Sequence, residues 1–216
     1  MAGPTAQPVA FRRIGIDFDN TIVRYDEVFV AAAVERRLLP ERFKGTKRAV
    51  RDAIRRLPNG ELAWQSLQGH VYSRGIDGAT MFDGLEAFLM RCRREGETVL
   101  IISHKTEYAR FDARHVNLRQ AALDWMRRHR FFSQDGYAVS LDNVFFEASR
   151  SNKIKRIADT ECTHYIDDLE EVLEDPDFPP KVERILFAAA LEREGVPFRA
   201  AFDWHEVTQM VFDART

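Results

Sequence analysis

Cysteine is scarce in this chain: two residues, Cys92 and Cys162, among 216. Neither stands beside a His or another Cys at ligand spacing, so no zinc finger or ribbon is expected, only two buried, reduced thiols. Long apolar runs are also absent. No stretch approaches the roughly 20 residues that span a bilayer, and no membrane partner is expected. Neither charge sign dominates: 32 Lys and Arg against 34 Asp and Glu leave a net charge of −2. That balance creates no global field for nucleic acid, and none is expected as a partner. Repeats are missing, and so are low-complexity tracts beyond the first ten residues. Met1–Ala10 is small, polar and proline-containing, without the apolar stretch of a signal peptide. It reads as a frayed tail, and a cytoplasmic location is the expectation.

What is present suits a packed domain. Apolar residues make up 45% of the chain and charged ones 31%, the balance of a folded core rather than of a disordered segment. The length fits one substantial domain, or a core domain with a small insert.

Apolar runs predict strands over Arg13–Phe18, Glu97–Ile102, Asn143–Glu147, His164–Ile166 and Arg184–Phe187. Their continuous apolar character suits strands covered on both faces. Helical spacing predicts helices over Phe82–Arg94, with Gly96 as a stop, and over Asn117–His129, Lys153–Asp159 and Trp204–Phe212. Strands alternating with helices give an α/β fold with a parallel sheet and ligand chemistry at the strand C-termini. Between Arg24 and about Thr80 the alternation stops. Three helical pieces follow, Val28–Leu38, Thr46–Leu57 and Glu61–Tyr72, punctuated by Pro40, Pro58-Asn59-Gly60 and Gly75–Gly78. The expectation is a core of residues 1–23 and 81–216 with a helical insert, 24–80.

Four polar elements stand at the ends of these strands. Asp17-Phe18-Asp19-Asn20-Thr21 follows the first strand, and Ser103 follows the second. Lys153 opens the helix after the third, and Asp167-Asp168 follows the fourth. Each alone is weak, because aspartates and serines after strands are common turn and cap residues and a lone Lys is usually solvated. Strand alternation lets Asp17 and Asp19 share a direction. A carboxylate pair at that edge can hold a hard cation, attack an electrophile and move a proton.

In this order the four elements resemble the haloacid dehalogenase-like superfamily, whose members are mostly phosphatases. The resemblance runs from about Phe11 to Asp168, with the Arg24–Thr80 segment in the place of that family's first cap. It implies a Rossmann-like three-layer core with a small helical cap. It also implies a Mg²⁺-dependent phosphohydrolase acting on a small soluble phosphomonoester through an aspartyl phosphate. Asp17 would be the nucleophile and Asp19 the general acid and base, its backbone carbonyl a metal ligand. Ser103 would bond a phosphoryl oxygen, Lys153 would neutralise charge, and Thr21 would orient the loop. Mg²⁺ would be held by Asp17, Asp19, Asp167 and Asp168. Members acting at carbon lack an acid at the place of Asp19, so its presence favours phosphoryl transfer. Asn20 stands where Gly is frequent in the family.

The chemistry is coherent without the name. An anionic phosphomonoester repels a carboxylate nucleophile, so attack needs a cation and directed donors. Asp19 must hold a proton near neutrality to protonate a departing alkoxide, and crowding among carboxylates can raise a pKa in that sense. A phosphomutase would use the same residues, and a phosphate- or partner-binding module whose catalysis has lapsed is the reading from another class. The complete residue set argues against the last.

Weaker signals remain. From Arg24 to Gly60 there are ten Lys and Arg against five Asp and Glu. Lys47, Arg48, Arg51 and Arg55 lie largely opposite the Val50–Leu57 apolar stripe, which reads as a solvated face or as a lid drawing an anionic substrate inward. Arg24, Tyr25 and Asp26 are placed to touch a leaving group or to act as a hinge. His104 and Lys105 open a long polar loop, facing either substrate or solvent. His70, His129, His164 and His205 show no metal spacing, and Trp64, Trp125 and Trp204 fit core positions. Asp175–Pro180 reads as a rigid connector.

Overall fold

The computed structural model describes residues 11–109, 115–188 and 197–213. The Met1–Ala10 tail lies outside the described residues, as do Arg110, Asp112 and Arg114 of the long polar loop. Six parallel strands form the main sheet: β1 (Arg13–Ile16), β4 (Thr98–His104), β5 (Val144–Glu147), β6 (His164–Asp167), β7 (Glu183–Phe187) and β8 (Arg199–Ala201). Their order across the sheet is β5-β4-β1-β6-β7-β8, the switch-point arrangement of a Rossmann-like core. The strand β8 is not expected from the sequence. At three residues it is too short for its apolar pattern to stand out, and its pairing with β7 defines it.

Alternation along the strands sorts the core into two layers. Ile14, Ile16, Val99, Ile101, Ile166 and Ile185 face one cluster, which includes residues of α4 (Leu85–Glu95), α5 (Leu118–Arg128) and α8 (Trp204–Phe212). Leu100, Ile102, Tyr165 and Leu186 face the other, against α6 (Arg150–Asp159) and the short α7 (Glu170–Leu173). Gly15 of β1 packs tightly against Tyr165 and Cys162 of the second cluster. A Cβ there would meet Tyr165 Cδ2 at 2.6 Å and Cys162 Sγ at 2.9 Å. Its lack of a side chain lets the Tyr165 hydroxyl cross and donate to the Ile102 carbonyl at 2.6 Å. Both cysteines are buried and free, and all three tryptophans are buried.

Helix ends follow their caps. Asn117, Ser149 and Asp203 each accept from the backbone N–H three residues on, at 2.9, 3.2 and 2.9 Å. Gly96, at φ 73°, closes α4 as the sequence predicts. The Ser149 cap starts α6 at Arg150, so Lys153 lies a turn inside the helix instead of opening it. The helix α4 starts at Leu85 rather than Phe82, after Gly84 turns the chain at φ 87°.

Three helices lie between two short antiparallel strands, β2 (Val23–Arg24) and β3 (Thr80–Met81), whose register pairs Arg24 with Thr80. They are α1 (Asp26–Glu35), α2 (Lys47–Arg55) and α3 (Gly60–Ser73). Phe29, Val50, Ile54, Trp64, Leu67 and Val71 from these helices belong to the same apolar cluster as Ile14 and Ile16 of the sheet. The Trp125 indole donates to the Ala79 carbonyl at 3.0 Å, and Arg128 pairs with Asp77. The helices are therefore anchored to α5 as well as to one another. Among the described residues no helix is long and apolar enough to cross a membrane.

Candidate active site

The sheet order sets β1 between β4 and β6, so the loops after these strands open at one edge. The turn after β1 is built by backbone bonds from Ile22 and Val23 to the Phe18 carbonyl, at 3.1 and 3.0 Å. Phe18 is fully buried, edge-on to Trp125 at 5.7 Å, and pins the turn to the core. Asn20 takes φ 63°. Asn tolerates that left-handed geometry better than most residues, so the place where Gly is frequent is filled without large strain.

Asp17 and Asp19 do not share partners. Asp17 is buried, and its Oδ1 accepts from Lys153 Nζ at 2.6 Å. Lys153 Nζ also lies 2.7 Å from Asp167 Oδ2. The two contacts differ in kind: the one to Asp17 has hydrogen-bond geometry, whereas Asp167 Oδ2 is in ion contact but without a hydrogen bond of its own. Asp167 Oδ1 accepts from the Leu169 N–H at 3.0 Å. Oxygens of Asp17, Asp167 and Asp168 all lie within 4.8 Å of one another.

Three carboxylates crowd one buried ammonium, with Lys47 acting on Asp168 as well, so negative charge is in excess if all are ionised. Protonation reflects this. Burial, reinforced by Asp167 and Asp19 against the pull of Lys153, raises Asp17 to about 6. Burial and then the charges of Asp167 and Asp17 raise Asp168 well above the carboxylate range. Burial alone would lower Lys153, but Asp167 and Asp17 overcome it and hold the ammonium charged. The all-oxygen donor set and its spacing fit a hard divalent cation such as Mg²⁺, whose ligands stand about 2.0–2.1 Å from the metal. The carboxylate of Asp19 is not in this cluster.

Asp19 faces the other way. The Tyr25 hydroxyl donates to its Oδ1 at 2.6 Å, and Lys105 Nζ donates to its Oδ2 at 2.6 Å. Burial would raise its pKa, but Lys105 first, then its hydrogen bond and that of Tyr25, reverse the sign and lower it. The expectation that crowding keeps Asp19 protonated is thus corrected. Its nearest charged partner is a buried ammonium, not a carboxylate.

Ser103 is buried on β4, in register with Phe146 of β5. Lys105, two residues on, is also buried, whereas His104 between them is exposed and bonds the Ala148 carbonyl at 3.2 Å. Of the two loop residues that the sequence leaves facing either substrate or solvent, Lys105 turns inward to Asp19 and His104 outward, as strand alternation continued past Ser103 requires. Thr21 is fully buried, its hydroxyl unpartnered and its carbonyl accepting from the Trp204 indole at 3.1 Å. Arg24 reaches Asp83 at 3.4 Å. The sequence offers Tyr25 as a leaving-group contact or hinge and Lys47 as part of a basic face, and the bond from Tyr25 to Asp19 is a feature of the tertiary structure. Lys47 is half-buried, its ammonium 5.5 Å from the Tyr72 ring centroid, and its charge acts on Asp168 and Asp19. A cleft of about 500 Å³ adjoins the site, with Asp168, Asn20 and Arg24 on one wall and α2 on the other.

No protein-family model and no curated protein matches the sequence significantly. Solved structures do match. A haloacid dehalogenase-like family hydrolase from Streptococcus pneumoniae superposes with a TM-score of 0.61 at 12% identity, covering 93% of this chain and 98% of that one. This chain has the haloacid dehalogenase-like fold. A haloacid dehalogenase-type hydrolase from Bacillus subtilis, bound to magnesium, matches with a TM-score of 0.54 at 13% identity over 94% of this chain and 99% of its own. Protein Tyrosine Kinase A of Mycobacterium tuberculosis matches with a TM-score of 0.57 at 15% identity, over 93% and 98%. At such identities the likeness speaks for the fold, and the reaction has to be argued from the site.

Proposed function

We propose that this protein is a Mg²⁺-dependent phosphohydrolase that cleaves a small soluble phosphomonoester through an aspartyl phosphate. The observation that carries this reading is Lys153 bridging Asp17 and Asp167 at 2.6 and 2.7 Å, within an acidic cluster that includes Asp168. Asp17, Asp167 and Asp168 would hold Mg²⁺, which would supply positive charge to screen an incoming phosphate.

The chain's own residues do the rest. Asp17 attacks phosphorus; a bond forms from its oxygen, and the bond to the ester oxygen breaks. Lys153 and Ser103 stabilise the transferring group, one as a fixed charge and one as a donor. The departing oxygen takes a proton from Asp19. Water then attacks the aspartyl phosphate, gives its proton to Asp19 and releases inorganic phosphate. In the free site Asp19 is ionised against Lys105. Phosphoryl oxygens competing for that ammonium weaken the pair and raise Asp19, which takes up a proton from solvent as substrate binds and then holds the proton that the departing oxygen needs. Tyr25 keeps the carboxylate aimed while this happens. The segment 24–80 acts as a cap that narrows the cleft and favours small substrates.

The test is a phosphate-release screen over a broad panel of phosphometabolites, with and without Mg²⁺, using Asp17→Asn as the blank. Release that depends on both the metal and Asp17 is expected. No release from any compound, or release by Asp17→Asn at the wild-type rate, refutes the proposal.

A further inference from the structure

The cleft beside the acidic cluster has more charge than cleavage of a simple phosphate ester needs. Five cations line it, namely Arg24, Lys47, Arg48, Arg51 and Arg55. Only two lining residues are acidic, Asp26 and Asp168, and both are engaged. Asp26 accepts from the Lys47 backbone N–H at 2.6 Å, and Asp168 belongs to the acidic cluster. Among the described residues neither Lys47 nor Arg48 makes a salt bridge. Arg51 reaches only its half-buried neighbour Asp52, at 2.9 Å, whereas Arg55 is held by Glu61 at 2.7 Å.

The placement of these charges opposes local stability. The first turn of α2 contains Lys47 and Arg48 and no acid. Cations there face the positive end of the helix dipole, which is unfavourable. Lys47, Arg51 and Arg55 recur at i, i+4 and i+8, on one helix face. Lys47 leans over the Tyr72 and Phe29 rings at 5.5 and 5.8 Å. The next charge on that face stands about 6 Å farther along the axis. The cleft also lacks an open aromatic face on which a base could stack. Trp64 and Phe187 are each 2% exposed, and the Arg24 guanidinium lies over the Phe82 ring at 6.0 Å.

We propose that Arg48 and Arg51, assisted by Lys47, form a second anion subsite, and that the substrate is a phosphomonoester with a further carboxylate or phosphoryl group besides the phosphate that is cleaved. This inference rests on the hydrolase reading above. The shared chemistry is a second anion, and the two sources separate in paired assays. Glycerol 3-phosphate against 3-phosphoglycerate tests a carboxylate, and fructose 6-phosphate against fructose 1,6-bisphosphate tests a phosphoryl group.

In at least one pair kcat/KM is expected to favour the more anionic member by about tenfold at low ionic strength, with the advantage shrinking as salt is added. Arg48→Gln with Arg51→Gln abolishes the advantage, and Arg94→Gln, an exposed cation outside the cleft, leaves it intact. Phosphate release with equal kcat/KM in both pairs overturns the subsite and leaves the hydrolase reading standing. A thermal-shift arm keeps the two ideas separable. In Mg²⁺, the Asp17→Asn protein should gain more thermal stability from the more anionic member of a pair than from the other, and the added Arg48→Gln and Arg51→Gln changes should erase that difference. Selective binding without any turnover keeps the subsite and refutes the hydrolase. Equal shifts from both members refute the subsite.

Discussion

Replacing Asp17 with Asn should make the metal-free protein more stable. Asp17 is almost completely buried, and its pKa rises from the ordinary 3.8 to about 6. Folded, it takes up a proton more readily than unfolded, so acid favours folding. The contribution is fully present below 3.8 and is lost as pH rises through about 6. That span corresponds to about 3 kcal/mol, so above pH 6 the ionised Asp17 destabilises the metal-free fold by roughly that amount. Asp17→Asn removes the penalty and keeps the shape, and Lys153 retains Asp167 at 2.7 Å as its partner. In chelator at pH 7.5 the variant should melt about 6–12 °C above wild type, from roughly 2–4 °C per kcal/mol at this size. Asp168, raised in part by Asp17, relaxes as well and adds to the gain. At pH 4 the difference should vanish. With saturating Mg²⁺ it should shrink or reverse, because the metal stabilises the wild-type carboxylate. Scanning calorimetry of both proteins at three pH values, with and without Mg²⁺, measures this directly. A variant less stable than wild type in chelator at pH 7.5, or a difference independent of pH, would show that Lys153 more than offsets the burial of Asp17.

Three other outcomes are expected. Asp19→Asn should bind substrate but lose about 10²–10⁴-fold in turnover, as for removal of a general acid and base; rapid-quench and steady-state kinetics read this, and wild-type turnover rules the role out. Lys105→Met should raise the Asp19 pKa, because Lys105 holds it below the usual carboxylate range, and the alkaline limb of the kcat/KM profile, where the protonated acid is lost, should move to higher pH; an unmoved limb contradicts that control. Gly15→Ala should destabilise by about 1–3 kcal/mol through overpacking against Tyr165 and Cys162, read by urea denaturation; Cys162→Ala in the same chain tests the contact by recovering part of the loss.

Along most of the chain, local periodicity carried the fold. The apolar runs at Arg13–Phe18 and Glu97–Ile102 mark strands because both faces of the sheet are covered. The residues that end those runs, Asp17 and Ser103, fall at one sheet edge because parallel strands share a direction. Short or irregular pieces were not readable in this way. The three-residue β8 and the two-residue β2–β3 pair exist through their partners, and no pattern of that length distinguishes a strand from a loop.

By itself the sequence determined that Asp17, Ser103, Lys153 and Asp167 stand at strand ends or in the helix beside them, since alternation and capping act over a few residues. Which charge faces which was decided by tertiary structure. Asp19 meets Lys105 across 86 residues and Lys153 meets Asp17 across 136. Nothing in the sequence near Asp19 says that a buried ammonium will reverse the pKa shift expected of crowded carboxylates. Coulomb energies depend on separation and burial, and both are products of packing between distant segments rather than of order along the chain.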